Sequence, residues 1–146
     1  MKVSALLLGS VLTAAQSAAV AYVDSIDMSD EKQKLDAAGH NPDDLELELK
    51  KFFVLQAIMP GKYVIPGAVD QLWHLFLENQ QKVDDLHAAI GMGIEHRPDN
   101  PVGEWESLMQ DTKTAYHSLF GPAPAHLYDD RGMLCWGCGY DIKMAA

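Results

Sequence analysis

An all-α fold is what this sequence predicts, and three observations carry the prediction. Apolar residues recur at three- and four-residue spacing over long stretches, helix-start and helix-stop residues border those stretches, and no run reads convincingly as a strand. With 146 residues, 48% of them hydrophobic, the chain has room for one domain with a real core. The expected architecture is a small bundle of three principal helices, preceded by a hydrophobic N-terminal helix and followed by an irregular tail that carries the cysteines. Residues 1–23 form the hydrophobic segment, 24–40 a linker with a short helix, and 41–146 the helical domain with its tail folded back over it.

Residues 3–23 carry no charge, and Lys2 precedes them. Val3 to Ala15 reads as the apolar region of a signal peptide, with Ala19-Val20-Ala21 as an A-x-A cleavage site. The run is also just long enough to span a bilayer, although Ser4, Ser10, Thr13, Gln16 and Ser17 dilute it. A third reading is an Ala-rich helix that docks on a protein partner through its small residues. Exposed in water, such a run costs roughly 25 cal/mol per Å² of apolar surface. It is therefore expected to be cleaved, inserted, or buried as a projecting arm jointed at 22–30. The location implied is membrane-associated or exported, with the cytoplasm as the alternative.

Ser29 or Asp30 can cap a short polar helix that ends before Gly39. Asn41-Pro42-Asp43-Asp44 is a strong helix start: Asn41 suits the cap, Pro42 the first turn, and the acids the positive end of the dipole. Leu45, Leu49, Phe52, Phe53 and Gln56 then share a face until Met59-Pro60-Gly61 stops the helix. Tyr63-Val64-Ile65 is too short to count as a strand. A central helix is expected over 68–90, with Val69, Leu72, Trp73, Phe76, Leu77, Val83, Leu86 and Ile90 inward and Gly91 and Gly93 at its end. After a turn-rich loop, a last helix over 102–120 buries Trp105, Leu108, Met109, Thr112, Tyr116 and Leu119, and Gly121, Pro122 and Pro124 end it. The tail shows no periodicity.

The net charge of −10 argues against nucleic acid as a partner, because no cluster of Lys and Arg is present to meet phosphates. No Gly-rich phosphate loop and no G-x-S-x-G motif occurs. The chemistry-bearing residues lie elsewhere. Asp70 and His74 are four apart and so share a helix face. The carboxylate can fix the tautomer of a metal-bound imidazole, or serve as a ligand itself, or simply satisfy a core histidine. His96 precedes Arg97-Pro98 and reads as a ligand or as a helix C-terminal cation. Cys135 and Cys138, the only cysteines, stand two residues apart in Cys-Trp-Gly-Cys-Gly, like half of a zinc knuckle. A disulfide, a redox pair and free thiols are the other readings. A closed zinc site needs four ligands, and His74 and His96 complete a Cys₂His₂ set with Cys135 and Cys138. His117 could replace His96, and His126 is a spare donor.

Several of these segments resemble a group of small proteins related to the N-terminal part of plant glycine-rich domain-containing proteins. The likeness runs over residues 45–140, in Val69-Asp70-Gln71-Leu72-Trp73-His74, His96-Arg97-Pro98 and Tyr116-His117-Ser118-Leu119-Phe120-Gly121. It implies a helical fold and no established reaction. Glu95 stands where a second histidine is common in that group, and the hydrophobic N-terminus is a further departure. The function expected is a small non-enzymatic accessory or interaction subunit of a larger, membrane-associated assembly, held together by structural zinc. It would meet a protein partner or a membrane through its N-terminal helix. The alternative is a metalloenzyme built on Asp70, His74 and His96.

Overall fold

The chain is predominantly helical in a computed structural model. The structure describes residues 1–9, 11–37, 39–97, 102–128 and 139–144, and of 95–97, 102–103 and 139–144 the backbone alone. A 3-10 turn over Val3–Leu6 leads to α1 (Ala14–Ser25) and α2 (Ser29–Lys34). Then come α3 (Pro42–Ile58), β1 (Tyr63–Val64), α4 (Gly67–Leu77) and α5 (Gln80–Ile90). β2 (Met92–Arg97), α6 (Val102–Phe120), α7 (Ala125–Tyr128) and β3 (Gly139–Met144) complete the order.

Helix α3 is the hub. It starts as its residues dictate: Asn41 Oδ1 accepts the Asp43 amide at 2.8 Å, with Pro42 in the first turn. Phe52, Phe53, Val54, Leu55 and Gln56 are all buried in succession, more than one face of a helix can supply. The reason is that α1, α2, α4, α5 and α6 all pack against it. Phe53 meets the edge of Trp73 at 5.2 Å between ring centroids, and Trp73 stacks on Phe76 at 5.5 Å. All three rings are fully buried.

The central apolar stretch is two helices rather than one. Asn79 accepts the Lys82 amide at 3.2 Å and caps α5, so the chain breaks after Leu77 and restarts. Gly91, at φ 78°, closes α5 in the left-handed conformation that turns the chain into β2. The cap expected of Ser29 or Asp30 is not made: the N-cap position falls at Met28, which gives no side-chain cap, and Asp27 Oδ1 just before it accepts the Ser29 amide at 2.9 Å.

A small antiparallel sheet, in the order β1-β3-β2, is the main feature the sequence reading lacks. Tyr63 and Val64 pair with Tyr140 and Gly139, so the segment set aside as too short is an edge strand. Residues 92–97, expected to be a helix end and turn, form β2, and part of the aperiodic tail forms β3. The register sets Met92, Ile94 and His96 opposite Met144, Ile142 and Tyr140. Helix α6 covers the outer edge of β1: Thr112 Oγ1 accepts the buried Val64 amide at 3.1 Å and donates to the Leu108 carbonyl at 2.7 Å.

The N-terminal segment is packed on its own domain and does not project from it. Thr13 and Gln16 form a capping box that starts α1, and α1 lies on α3 and α5 with Ala19, Val20 and Val23 buried. Val3 is buried too, fixed by its amide donating to Asp24 Oδ1 at 2.6 Å. The Leu8 amide donates to the Leu119 carbonyl at 2.8 Å, tying the segment to the end of α6. An arm jointed at 22–30 was expected because the run is uncharged. Burial against α3 and α5 satisfies the same requirement within the chain. Among the described residues no helix is long and apolar enough to cross a membrane.

Trp73 joins α3 to α4 at the centre of this core, so Trp73→Ala is expected to cost about 3–5 kcal/mol of stability. Urea unfolding followed by circular dichroism would measure it, and a midpoint near that of the unsubstituted chain would place Trp73 outside the core.

Candidate functional site

The Asp70–His74 pair is set by α4. Pro66 opens the helix, and the Asp70 amide donates to the Pro66 carbonyl at 2.8 Å. Four residues on, His74 Nδ1 lies 3.2 Å from Asp70 Oδ2. The two atoms are a close pair at the long end of hydrogen-bond distance. The environments differ sharply: the Asp70 side chain is 0% exposed and that of His74 35%. Trp73 points into the core while its neighbour His74 stands at the rim. A buried carboxylate facing Nδ1 favours the tautomer with its proton on Nδ1, which places the lone pair of a neutral imidazole on Nε2. That is the donor atom a metal would use.

His96 lies in β2, where its backbone pairs with Tyr140; its side chain is outside the description. Cys135 and Cys138 lie outside the described residues. Cys138 directly precedes Gly139, and Gly139 pairs with both Val64 and Arg97. The sheet thus brings the chain following the cysteines alongside the residue after His96. Among the described residues no three of His, Cys, Asp and Glu come together to hold a metal. The structure therefore joins Asp70 with His74, and brings the backbone that follows Cys138 next to β2. His117 lines an open cleft of about 400 Å³ on α6 with Gln110, Lys113 and Thr114.

Two groups were missed by sequence reasoning. The first is a buried polar set between α3 and α6. Tyr116 Oη donates to Glu48, lying 2.9 and 3.0 Å from its two oxygens. Lys51 Nζ reaches Glu48 Oε1 at 3.1 Å and Tyr116 Oη at 2.7 Å, and lies over the Tyr116 and Phe120 rings. Burial, then the charge of Glu48 and the bond to it, push the Tyr116 phenol far above its usual range, so it stays a donor. Burial also raises Tyr128, which packs edge-on against Tyr116. The helical spacing of Glu48, Lys51 and Phe52 carried the signal: charges bordering a buried face need internal partners.

The second is His87. Its Nε2 accepts the Ile94 amide at 3.1 Å, across the Gly91 turn. An acceptor Nε2 means a neutral ring with its proton on Nδ1, so doubly protonated His87 cannot keep the bond. Asp84 stands three positions before it on α5. Asp84 is the charged group that favours its protonation, but burial outweighs it and holds the imidazole below the usual value of 6.5.

No protein-family model matches the chain, and neither a curated protein nor a solved structure matches it.

His87 gives a signed pH dependence. Its pKa is lower folded than unfolded, so its contribution is fully present above about pH 6.5 and is lost as pH falls through the folded value. Urea midpoints between about pH 7.5 and 5 should fall more for the unsubstituted chain than for His87→Gln, which keeps an acceptor and cannot titrate. Equal falls in the two proteins would show that His87 contributes nothing to the dependence.

Proposed function

We propose that this chain is a small non-enzymatic accessory or interaction subunit of a larger assembly, stabilised by a structural zinc ion bound to His74, His96, Cys135 and Cys138. The observation that carries this reading is the Asp70–His74 pair: a fully buried carboxylate 3.2 Å from Nδ1 of a rim histidine favours the tautomer with its lone pair on Nε2, the atom a metal would use. The sheet adds support, because β3 begins directly after Cys138 and runs beside the strand that bears His96. Two thiolates and two imidazoles suit zinc, and four protein ligands would leave no coordination position open for a substrate. The metalloenzyme alternative, with Asp70 as a direct ligand beside His74 and His96, fits less well with a carboxylate that is fully buried and faces His74.

In this reading α3, α4 with α5, and α6 are the three principal helices, and the cysteine-bearing tail is clamped over them by the metal. The resemblance to the glycine-rich domain-containing group belongs to the same proposal, since its W-H and H-x-P motifs contain two of the four ligands. The N-terminal segment meets the protein partner or membrane. With α1 packed on its own domain, the surface it offers is the stretch around Leu8 and Val11, which are 54% and 99% exposed. A membrane-associated or exported location accompanies this reading, and a cytoplasmic one accompanies a purely protein partner.

Metal analysis of purified protein tests the proposal. One sulfur-coordinated zinc per chain is expected, its sulfur ligands seen by X-ray absorption. Cys135→Ser with Cys138→Ser should remove the sulfur-bound zinc and lower the melting temperature, and Asp70→Asn should weaken the affinity of that site about 10–100-fold. A metal-free chain whose stability is unaffected by chelator would remove the zinc and leave a plain interaction module.

A further inference from the structure

His40, in the turn before α3, and His126, in α7, are 86 positions apart in sequence, yet their rings lie close together. The centroids are 5.9 Å apart and the planes inclined by 31°. His40 is half-buried and His126 exposed. Neither imidazole makes a hydrogen bond or an ion pair among the described residues; the ring contact is what each side chain has. Both turns are held by backbone bonds. The His40 amide donates to the Ala37 carbonyl at 2.9 Å, Gly39 takes φ 88°, and the Leu127 and Tyr128 amides donate to the Pro124 carbonyl at 3.1 and 3.0 Å. Leu127 and Tyr128 are buried, which fixes α7 and so the position of His126.

Two imidazoles held at this separation are suited to share a metal ion. With metal–nitrogen bonds of about 2.0–2.1 Å and an angle between tetrahedral and linear, the ring centroids fall roughly 5–6.5 Å apart. We propose that His40 and His126 form a two-histidine site for a divalent transition metal of the zinc class, clipping α7 to the start of α3. Water supplies the remaining coordination positions, as the exposure of His126 allows. Two neutral imidazoles prefer Cu²⁺ and Zn²⁺ to the hard cations Mg²⁺ and Ca²⁺. The site is independent of the His74 set, since it shares no ligand with it. Metal at this position would fasten the helix from which the chain enters the cysteine-bearing tail.

The test is calorimetric titration of Zn²⁺ alone into the full chain carrying Cys135→Ser and Cys138→Ser, so that the proposed structural site is out of play. One equivalent should bind with micromolar affinity. His40→Asn or His126→Asn should each weaken that binding by at least about tenfold, since losing a direct ligand costs no less than losing an outer-shell partner. Neither histidine belongs to the buried core, so the variants are expected to keep the fold, which circular dichroism would check. In proton NMR, the two imidazole Cε1–H signals should move together on adding Zn²⁺, and Mg²⁺ should move neither. Binding that is the same in the substituted and unsubstituted proteins, or imidazole signals unmoved by Zn²⁺, would overturn the proposal. Failure here would leave the His74 reading standing, because that reading stands or falls on sulfur in the coordination shell.

Discussion

The burial of α3 on nearly every side is the constraint on which the rest of the structure depends. A 17-residue helix with Leu45, Leu49, Phe52, Phe53, Val54 and Leu55 buried cannot be served by one neighbour. It requires a shell, and the chain builds one from α1, α2, α4, α5 and α6. The N-terminal segment is drawn into that shell. Its small residues let α1 approach closely, and its lack of charge suits the contact. An uncharged, Ala-rich run that resembles an export or membrane signal in sequence thus has a role within the domain as well.

Enclosing α3 creates an electrostatic problem, because it carries Glu46, Glu48, Lys50 and Lys51 into a crowded environment. Each is answered locally. Lys50 donates to the Ile26 carbonyl at 2.9 Å and pairs with Glu46 at 3.3 Å; Glu46 is also paired with Lys32 at 2.8 Å. Glu48 receives Tyr116 and Lys51. Lys82, on α5, pairs with Glu31 at 2.7 Å and donates to the Asp27 carbonyl, holding α2 in place. The chain has 21 acidic residues and only 11 Lys and Arg, so four lysines committed to joints between elements are a large share of its cations. Such buried pairs add little net stability, since desolvation offsets attraction, but removing one partner leaves the other stranded. They fix how the helices meet.

The helical part of the fold was legible because it rests on local signals. Asn41-Pro42 starts α3, Gly121 at φ 84° follows α6, and the predicted inward residues of the long helices are buried apart from Leu77, which is partly so. The break at Asn79 was missed because the apolar pattern runs on through it, while the capping residue that decides it is a single polar side chain. The sheet was missed for a different reason. Met92-Gly93-Ile94-Glu95-His96-Arg97 and Tyr140-Asp141-Ile142-Lys143-Met144 both alternate, but each is short, and neither is a strand without the other. The Asp70–His74 pair was readable from four-residue spacing alone. The His87–Ile94 bond and the His40–His126 pair depend on turns and on distant segments, and no local pattern foretells them.

The claim that the N-terminal segment is part of the shell around α3 is tested most directly by deleting residues 1–21 and measuring urea unfolding of the shortened chain. Deletion removes Val3, Ala19 and Val20 from the core and uncovers α3 and α5. The account predicts a loss of several kcal/mol, of the order expected for three buried apolar side chains, with amide protection in α3 falling most. A truncated chain that unfolds at the same urea concentration, with α3 equally protected, would contradict it.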